Sequence, residues 1–283
     1  MTLWELLFTS KKTVPPHLGA WYFLLPTSLV IIAVLSIRFA SSKGYRNFWY
    51  WGQLIQLLII NAWYIAARLP LSEALPFYHS RMAMWMILFA PNKTFFKQYF
   101  ALVGVFGSIM ALVYPVFYPF PFPHVSSVNN VFGHWALLAN CLIYLVRYYK
   151  VEKGDTWKIC QMTFGVNAII FLANLLTGGN YGFMSKPPVI GDHGSLLNYL
   201  IVTSLMTGIL ILINQLVKYK HKNSSYTTEF VTLRRLYASF YYKNPNDATA
   251  YSDFLVWSYD RPSRLVYLCF SYLLQKPQIC SIV

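Results

Sequence analysis

The chain has 283 residues, of which 57% are hydrophobic, 18% aromatic and only 11% charged, whereas a soluble domain carries roughly 25% charge. This composition excludes an ordinary water-soluble globule and points to a membrane protein with several spans. The formal charge of +14 does not indicate a nucleic-acid partner, because the basic residues stand between and after apolar runs, as they do in cytoplasmic loops.

The first sixteen residues, MTLWELLFTSKKTVPP, place Glu5 before the lysines and show no small-residue cleavage site, so they are not read as a cleaved signal peptide. Seven segments then approach the ~20 residues that a bilayer crossing needs. They are Trp21 to Phe39, Phe48 to Leu69, Leu75 to Ala90, Tyr99 to Phe117, Val131 to Tyr148, Met162 to Leu176 and Leu196 to Val217. The second holds Gln53, Gln56 and Asn61, and the third opens on Tyr78, His79, Ser80 and Arg81. Ionisable groups in a bilayer cost about 2.5–3.5 kcal/mol each on insertion scales, so they face a protein interior or a watery cavity.

Lysine and arginine set the orientation. Arg38, Lys43 and Arg46 follow the first span, Lys93 and Lys97 the third, and Arg147, Lys150, Lys153 and Lys158 the fifth. Lys218, Lys220 and Lys222 follow the seventh, while the alternate connections are poor in basic residues. The expectation is an all-α membrane protein of seven transmembrane helices, multi-pass in the cell membrane, with the N-terminus outside and the C-terminus cytoplasmic. Residues 1–217 form the transmembrane domain and 218–283 a cytoplasmic tail, whose apolar run Leu265 to Leu274 is too short to span and could lie on the membrane.

This orientation puts His79, Ser80 and Arg81 ~6–9 Å below the outer end of the third span, and His134 near the outer end of the fifth. Asn167 and Asn174 share a face of the sixth, and Asn61 lies in the outer half of the second. The expectation is a polar cavity between spans two, three, five and six, open to the outer leaflet. It is rimmed by the turn-rich FPFPH and TGGNYGFMSKPP loops. The four cysteines, Cys141, Cys160, Cys269 and Cys280, show no paired spacing, so neither a disulfide framework nor a zinc site is expected. No GxSxG, P-loop, HExxH or GxGxxG motif occurs, and the expected chemistry needs no metal or other cofactor.

Three stretches in register carry a resemblance: LPFYHSRMA, FPHVSSVNNVFGHWALL and NLLTGGNYGFMSKPP. Together they resemble the YwaF-like bacterial membrane proteins, relatives of transmembrane protein 164, over roughly residues 15 to 217. The resemblance implies a multi-span helical fold and a link to lipid acyl transfer by a cysteine–histidine pair. The histidine carries over to His134. The cysteine does not: this chain has Phe77 one residue after Pro76 and Ser80 four residues after it. The thiol of a thioester mechanism is therefore missing, and a hydroxyl nucleophile takes its place, as in a related family of lipid hydrolases that use threonine and histidine.

The reading that follows assigns His134 as general base and Ser80 as the nucleophile it would activate. Arg81 is a clamp for a headgroup phosphate, with His79, Asn174, Asn180 and Tyr181 as further substrate-binding residues. The partner is membrane phospholipid or another acyl lipid. Each residue also has a structural role open to it: His134 an interhelical bond, Ser80 a small helix contact, Arg81 a pair with Glu73 or an aromatic stack, Asn180 a helix-end cap. A non-catalytic lipid- or solute-binding protein, or a subunit of an envelope complex, would keep the cavity without a nucleophile, and Phe77 favours it. A small transporter is opposed by the absence of a repeat and of a buried carboxylate.

Overall fold

The computed structural model describes residues 2–188 and 191–243, with side chains through residue 221. The described residues are helical, with no strand. In order they form α1 (Leu3–Phe8), α2 (Trp21–Arg38), α3 (Lys43–Ala66), α4 (Leu71–Ala74), α5 (His79–Phe89), α6 (Phe95–Val113), α7 (Val125–Tyr148), α8 (Asp155–Thr177) and α9 (Ser195–Lys243), with a 3-10 turn at Tyr181–Phe183. The chain divides into two compact units, Met1–Lys218 and Tyr219–Val283, and the helix packing below is that of the first. The apolar run Leu265 to Leu274 lies outside the described residues.

Among the described residues five helices are long and apolar enough to cross a membrane: Trp21–Arg38, Phe95–Val113, Val125–Tyr148, Asp155–Thr177 and Ser195–His221. α3 has the length, at 24 residues, but carries Gln53, Gln56 and Asn61 within it. α5 has 11 residues, well short of the ~20 that a helical crossing takes.

Three boundaries depart from the expectation, each for a local reason. The third segment is not helical from Leu75, because Pro76 disfavours helical backbone in the residue before it. Leu75 to Tyr78 runs extended or bent and α5 begins at His79. His79, Ser80 and Arg81 thus form a first turn and do not lie below the end of a longer helix. α6 starts early, where the Thr94 hydroxyl accepts from the Lys97 amide at 3.2 Å, and ends at Val113 before Pro115. α7 starts six residues before the predicted Val131, capped by His124, whose ring accepts from the Ser126 amide. His134 therefore lies ten residues beyond the cap, about 15 Å along the axis, near the middle of the helix.

α6 is the hub. Tyr99, Phe100, Ala101, Leu102 and Val103 are buried in succession, so this stretch of the helix is enclosed on every side. α2, by contrast, exposes Val30, Ile31 and Val34, an apolar surface suited to lipid tails. At Gly104 a Cβ would stand 2.3 Å from Cys141 Sγ and 3.0 Å from a Leu137 methyl. Only glycine allows α6 and α7 to approach this closely, a device common where helices pack in membranes.

Hydrogen bonds between distant loops gather the connections at two ends. At one end Arg46 and Arg147 both donate to the Ala40 carbonyl (3.4 and 3.3 Å), and Gln98 and Lys150 exchange two bonds. Here too Asn214 and Lys218 of α9 hold the Asp155 carboxylate at 3.0 and 3.1 Å. Asp155 is a buried carboxylate at the start of α8, contrary to the expectation that none exists, and its bonds to α9 mark it as a helix tie. At the other end Trp63 donates to the Phe8 carbonyl, Thr13 to Pro119, and the Tyr181 turn bonds the α4–α5 passage.

Candidate functional site

The polar first turn of α5 sends its three side chains in three directions. Arg81 points toward the end of α3, where it donates to the Tyr64 hydroxyl and, at 3.4 Å, to the Glu73 carbonyl. Its guanidinium lies 4.5 Å from the Tyr64 ring centre and 5.2 Å from that of Tyr78, the stacked geometry that favours arginine over lysine. The Glu73 carboxylate is engaged by Lys12 at 3.1 Å. No carboxylate lies within salt-bridge distance of Arg81 among the described residues. Tyr64 is the site residue that sequence reasoning missed: an aromatic at a helix end carries no signal in the sequence that it will receive an arginine.

His79 turns toward α8. Its Nε2 meets Asn167 Oδ1 at 2.7 Å, and Asn167 in turn donates to the Thr203 hydroxyl of α9 at 3.0 Å. The amide oxygen only accepts, so His79 donates from Nε2. The 3-10 turn covers the ring: a Cβ on Gly182 would lie 2.7 Å from His79 Cε1, and this glycine's φ of +63° suits only a residue without one. Ser80 turns toward α6 and packs on Gly107, where an added Cβ would be 3.2 Å from the serine Cβ. His79 and Ser80 therefore face different neighbours.

His134 is buried on α7. Its Nδ1 sits 2.6 Å from the Asn130 carbonyl of its own helix, one turn earlier. A carbonyl can only accept, so the proton is on Nδ1 and Nε2 is the bare, basic nitrogen. That Nε2 has no hydrogen-bond partner among the described residues, so Ser80 does not bond to it. Gln56 adds an acceptor without a partner, its Oε1 held 3.0 Å from the Cβ position of Gly133.

Asn174 in the last turn of α8, and Asn180 and Tyr181 beyond it, are occupied with backbone. Asn174 brackets Tyr181, accepting from its amide at 2.7 Å and donating to its carbonyl at 2.9 Å. Asn180 Oδ1 accepts from the Ser185 and Lys186 amides, and its Nδ2 donates to the Lys186 carbonyl. The helix-end cap expected at Asn180 is supplied by Gly178, whose φ is +69°. The Tyr181 hydroxyl donates to the Leu71 carbonyl and accepts from the Leu75 amide at 3.0 Å. These side chains shape the rim and hold it over His79.

Among the described residues no three His, Cys, Asp or Glu side chains converge as metal ligands would. The chemistry the arrangement offers is acid–base chemistry at the bare nitrogen of one buried imidazole. No curated protein and no solved structure matches the chain. The model of one protein family, the TMEM164 family, matches residues 12–218.

Proposed function

The chain belongs to the TMEM164 family, and from that premise we propose that it is an integral membrane enzyme that transfers or hydrolyses acyl groups of phospholipid-like substrates. One observation carries the reading: His134 is buried with Nδ1 fixed by a carbonyl and Nε2 bare. A base so oriented takes a proton from an attacking hydroxyl and returns it to the leaving oxygen. Arg81, stacked on tyrosines and without a carboxylate at salt-bridge distance among the described residues, is the proposed partner of a headgroup phosphate. His79, Asn174, Asn180 and Tyr181 position the rim against which the lipid would lie.

The proposal includes seven crossings of the cell membrane, with the N-terminus outside and residues beyond Lys218 cytoplasmic. Two crossings are added to the five apolar helices: α3, whose glutamines face α7, and α5 together with the α4–α5 passage. Basic residues support the orientation. The side chains of Arg46, Lys97 and Arg147 and the backbone amides of Lys93 and Lys150 donate hydrogen bonds at the end assigned to the cytoplasm.

Two serines stand near the α5–α6–α7 contact, Ser80 on Gly107 and Ser108 in the next position of α6. Ser80 is the hydroxyl that the sequence puts forward. Its packing on Gly107 favours a second reading, in which the protein binds a lipid or solute, or serves an envelope complex, without chemistry. Membrane lipid profiles distinguish the two. Cells carrying the wild-type protein are compared with cells carrying His134→Gln at matched abundance. Loss of a general base costs 10²–10⁴-fold in rate, so the variant is expected to abolish the acyl-chain changes that the wild type produces. Identical profiles, with both proteins folded and abundant, count against the enzyme and for the binder.

A further inference from the structure

We infer that Ser108 is the hydroxyl activated by His134, so that the acyl group is carried on Ser108 Oγ; this rests on the acyl-lipid reading above. The placement comes from the contact at Gly104. There α6 meets α7 at Leu137 and Cys141, and the two helices run antiparallel, joined by residues 114–124. Ser108 is one turn beyond Gly104 toward the α6 C-terminus. His134 is one turn before Leu137 toward the α7 N-terminus. Both steps go the same way along the interface, so the two residues share a level of it; their reactive atoms do not bond to each other in the resting structure, and the proposal has them meet when substrate is bound.

Neither reactive atom is satisfied. Ser108 is fully buried and His134 is 8% exposed, yet Ser108 Oγ and His134 Nε2 have no hydrogen-bond partner among the described residues. Buried polar groups are nearly always paired, and an exception asks for an explanation. Other hydroxyls in these helices show the usual solution. Thr27, Ser28, Thr163, Thr177 and Thr207 each donate to a carbonyl three or four residues earlier. Ser108 does not, which leaves its proton available to a neighbouring helix.

The chemistry of the two groups is complementary. His134 Nε2 is an acceptor because the Asn130 carbonyl holds the proton on Nδ1; Ser108 is a donor. Hydroxyl, imidazole and fixing acceptor are the order a nucleophile, its base and the group that orients the base take. Ser127 Oγ is also buried without a partner, but it stands seven residues from His134 along α7, about 10 Å away along the axis. Ser80 lies against Gly107, about 100° around α6 from Ser108.

The step balances without an outside reagent. Ser108 Oγ forms a bond to the ester carbonyl carbon as Nε2 takes the hydroxyl proton. The carbon–oxygen bond to the glycerol then breaks, and Nε2 returns that proton to the departing alkoxide. A second alcohol, or water, attacks the acyl-serine by the same path in reverse, delivering its own proton through Nε2 to Ser108.

A fluorophosphonate probe on the full-length protein in membranes, with the adduct mapped by mass spectrometry, tests the assignment. The adduct is expected on Ser108, reduced about ten-fold or more in Ser108→Ala and in His134→Gln, and unchanged in Thr27→Val. Ser108→Ala is expected to melt no lower than wild type, since it removes a hydroxyl that makes no bond. An adduct on Ser80 or elsewhere, or none, overturns the proposal. So does Ser108→Ala with a wild-type lipid profile where His134→Gln loses it, which leaves the acyl-lipid reading standing. Ser108 labelling that depends on His134, beside lipid profiles unaffected by either variant, supports the pair and removes the acyl-lipid reading.

Discussion

His124 shows how much one side chain organises at a helix start. Its Nε2 donates to the Thr9 carbonyl at 3.0 Å, while Nδ1 accepts from the Ser126 hydroxyl and amide. The ring also stacks on Phe120 and meets the edge of Trp63. Burial pushes its pKa below the ordinary histidine value, against a smaller opposing effect of the Thr9 bond. The unfolded chain therefore binds the proton more readily than the folded one. Stability from this group is complete above the unfolded value of about 6.5 and is lost as pH falls through it toward the lower folded value. Thermal melts in detergent at about pH 7.5 and 5.5 should show a lower midpoint in acid, and His124→Asn, which keeps a cap acceptor without a titrating ring, should lessen the difference. An undiminished acid shift in that variant would assign the effect to other groups.

At the scale of elements, the sequence showed the apolar helices and missed their fine placement. Trp21 and the Val217 region bracket hydrophobic runs that any bilayer-length window finds. The start of α5 depends on a single proline, and the start of α7 on an imidazole used as a cap, which composition does not reveal. Side-chain direction was less legible still. His79, Ser80 and Arg81 are consecutive, yet Asn167, Gly107 and Tyr64 receive them, and those partners come from three other helices. The closeness of α6 and α7 is the element-scale feature most open to test. Gly104→Ala drives a methyl into Cys141 Sγ, and overpacking of this kind costs about 1–3 kcal/mol. Adding Cys141→Ala vacates that space, so the double variant should recover a good part of the lost melting temperature. Simple addition of two losses would mean that the contact at Gly104 does not limit the packing.

For the whole molecule, the proposed orientation predicts which loops meet the outside medium. In a background with all four cysteines replaced by alanine, Lys12→Cys and Lys186→Cys should react with a membrane-impermeant maleimide on intact cells. Lys153→Cys should react only after permeabilisation. The opposite pattern would invert the topology, and labelling of all three on intact cells would remove it. The central position of α6 was beyond the sequence, because its apolarity differs little from that of α2; what separates them is that neighbours surround one and lipid-suited surface covers the other.

The phenol oxygen of Tyr181 fastens both Leu71 and Leu75, while Asn174 grips the same tyrosine by its amide and carbonyl. Two stretches of chain a hundred residues apart thus share one rivet. Neither can swing out while it holds, so this face of the bundle is held over the His79 ring as a single plate.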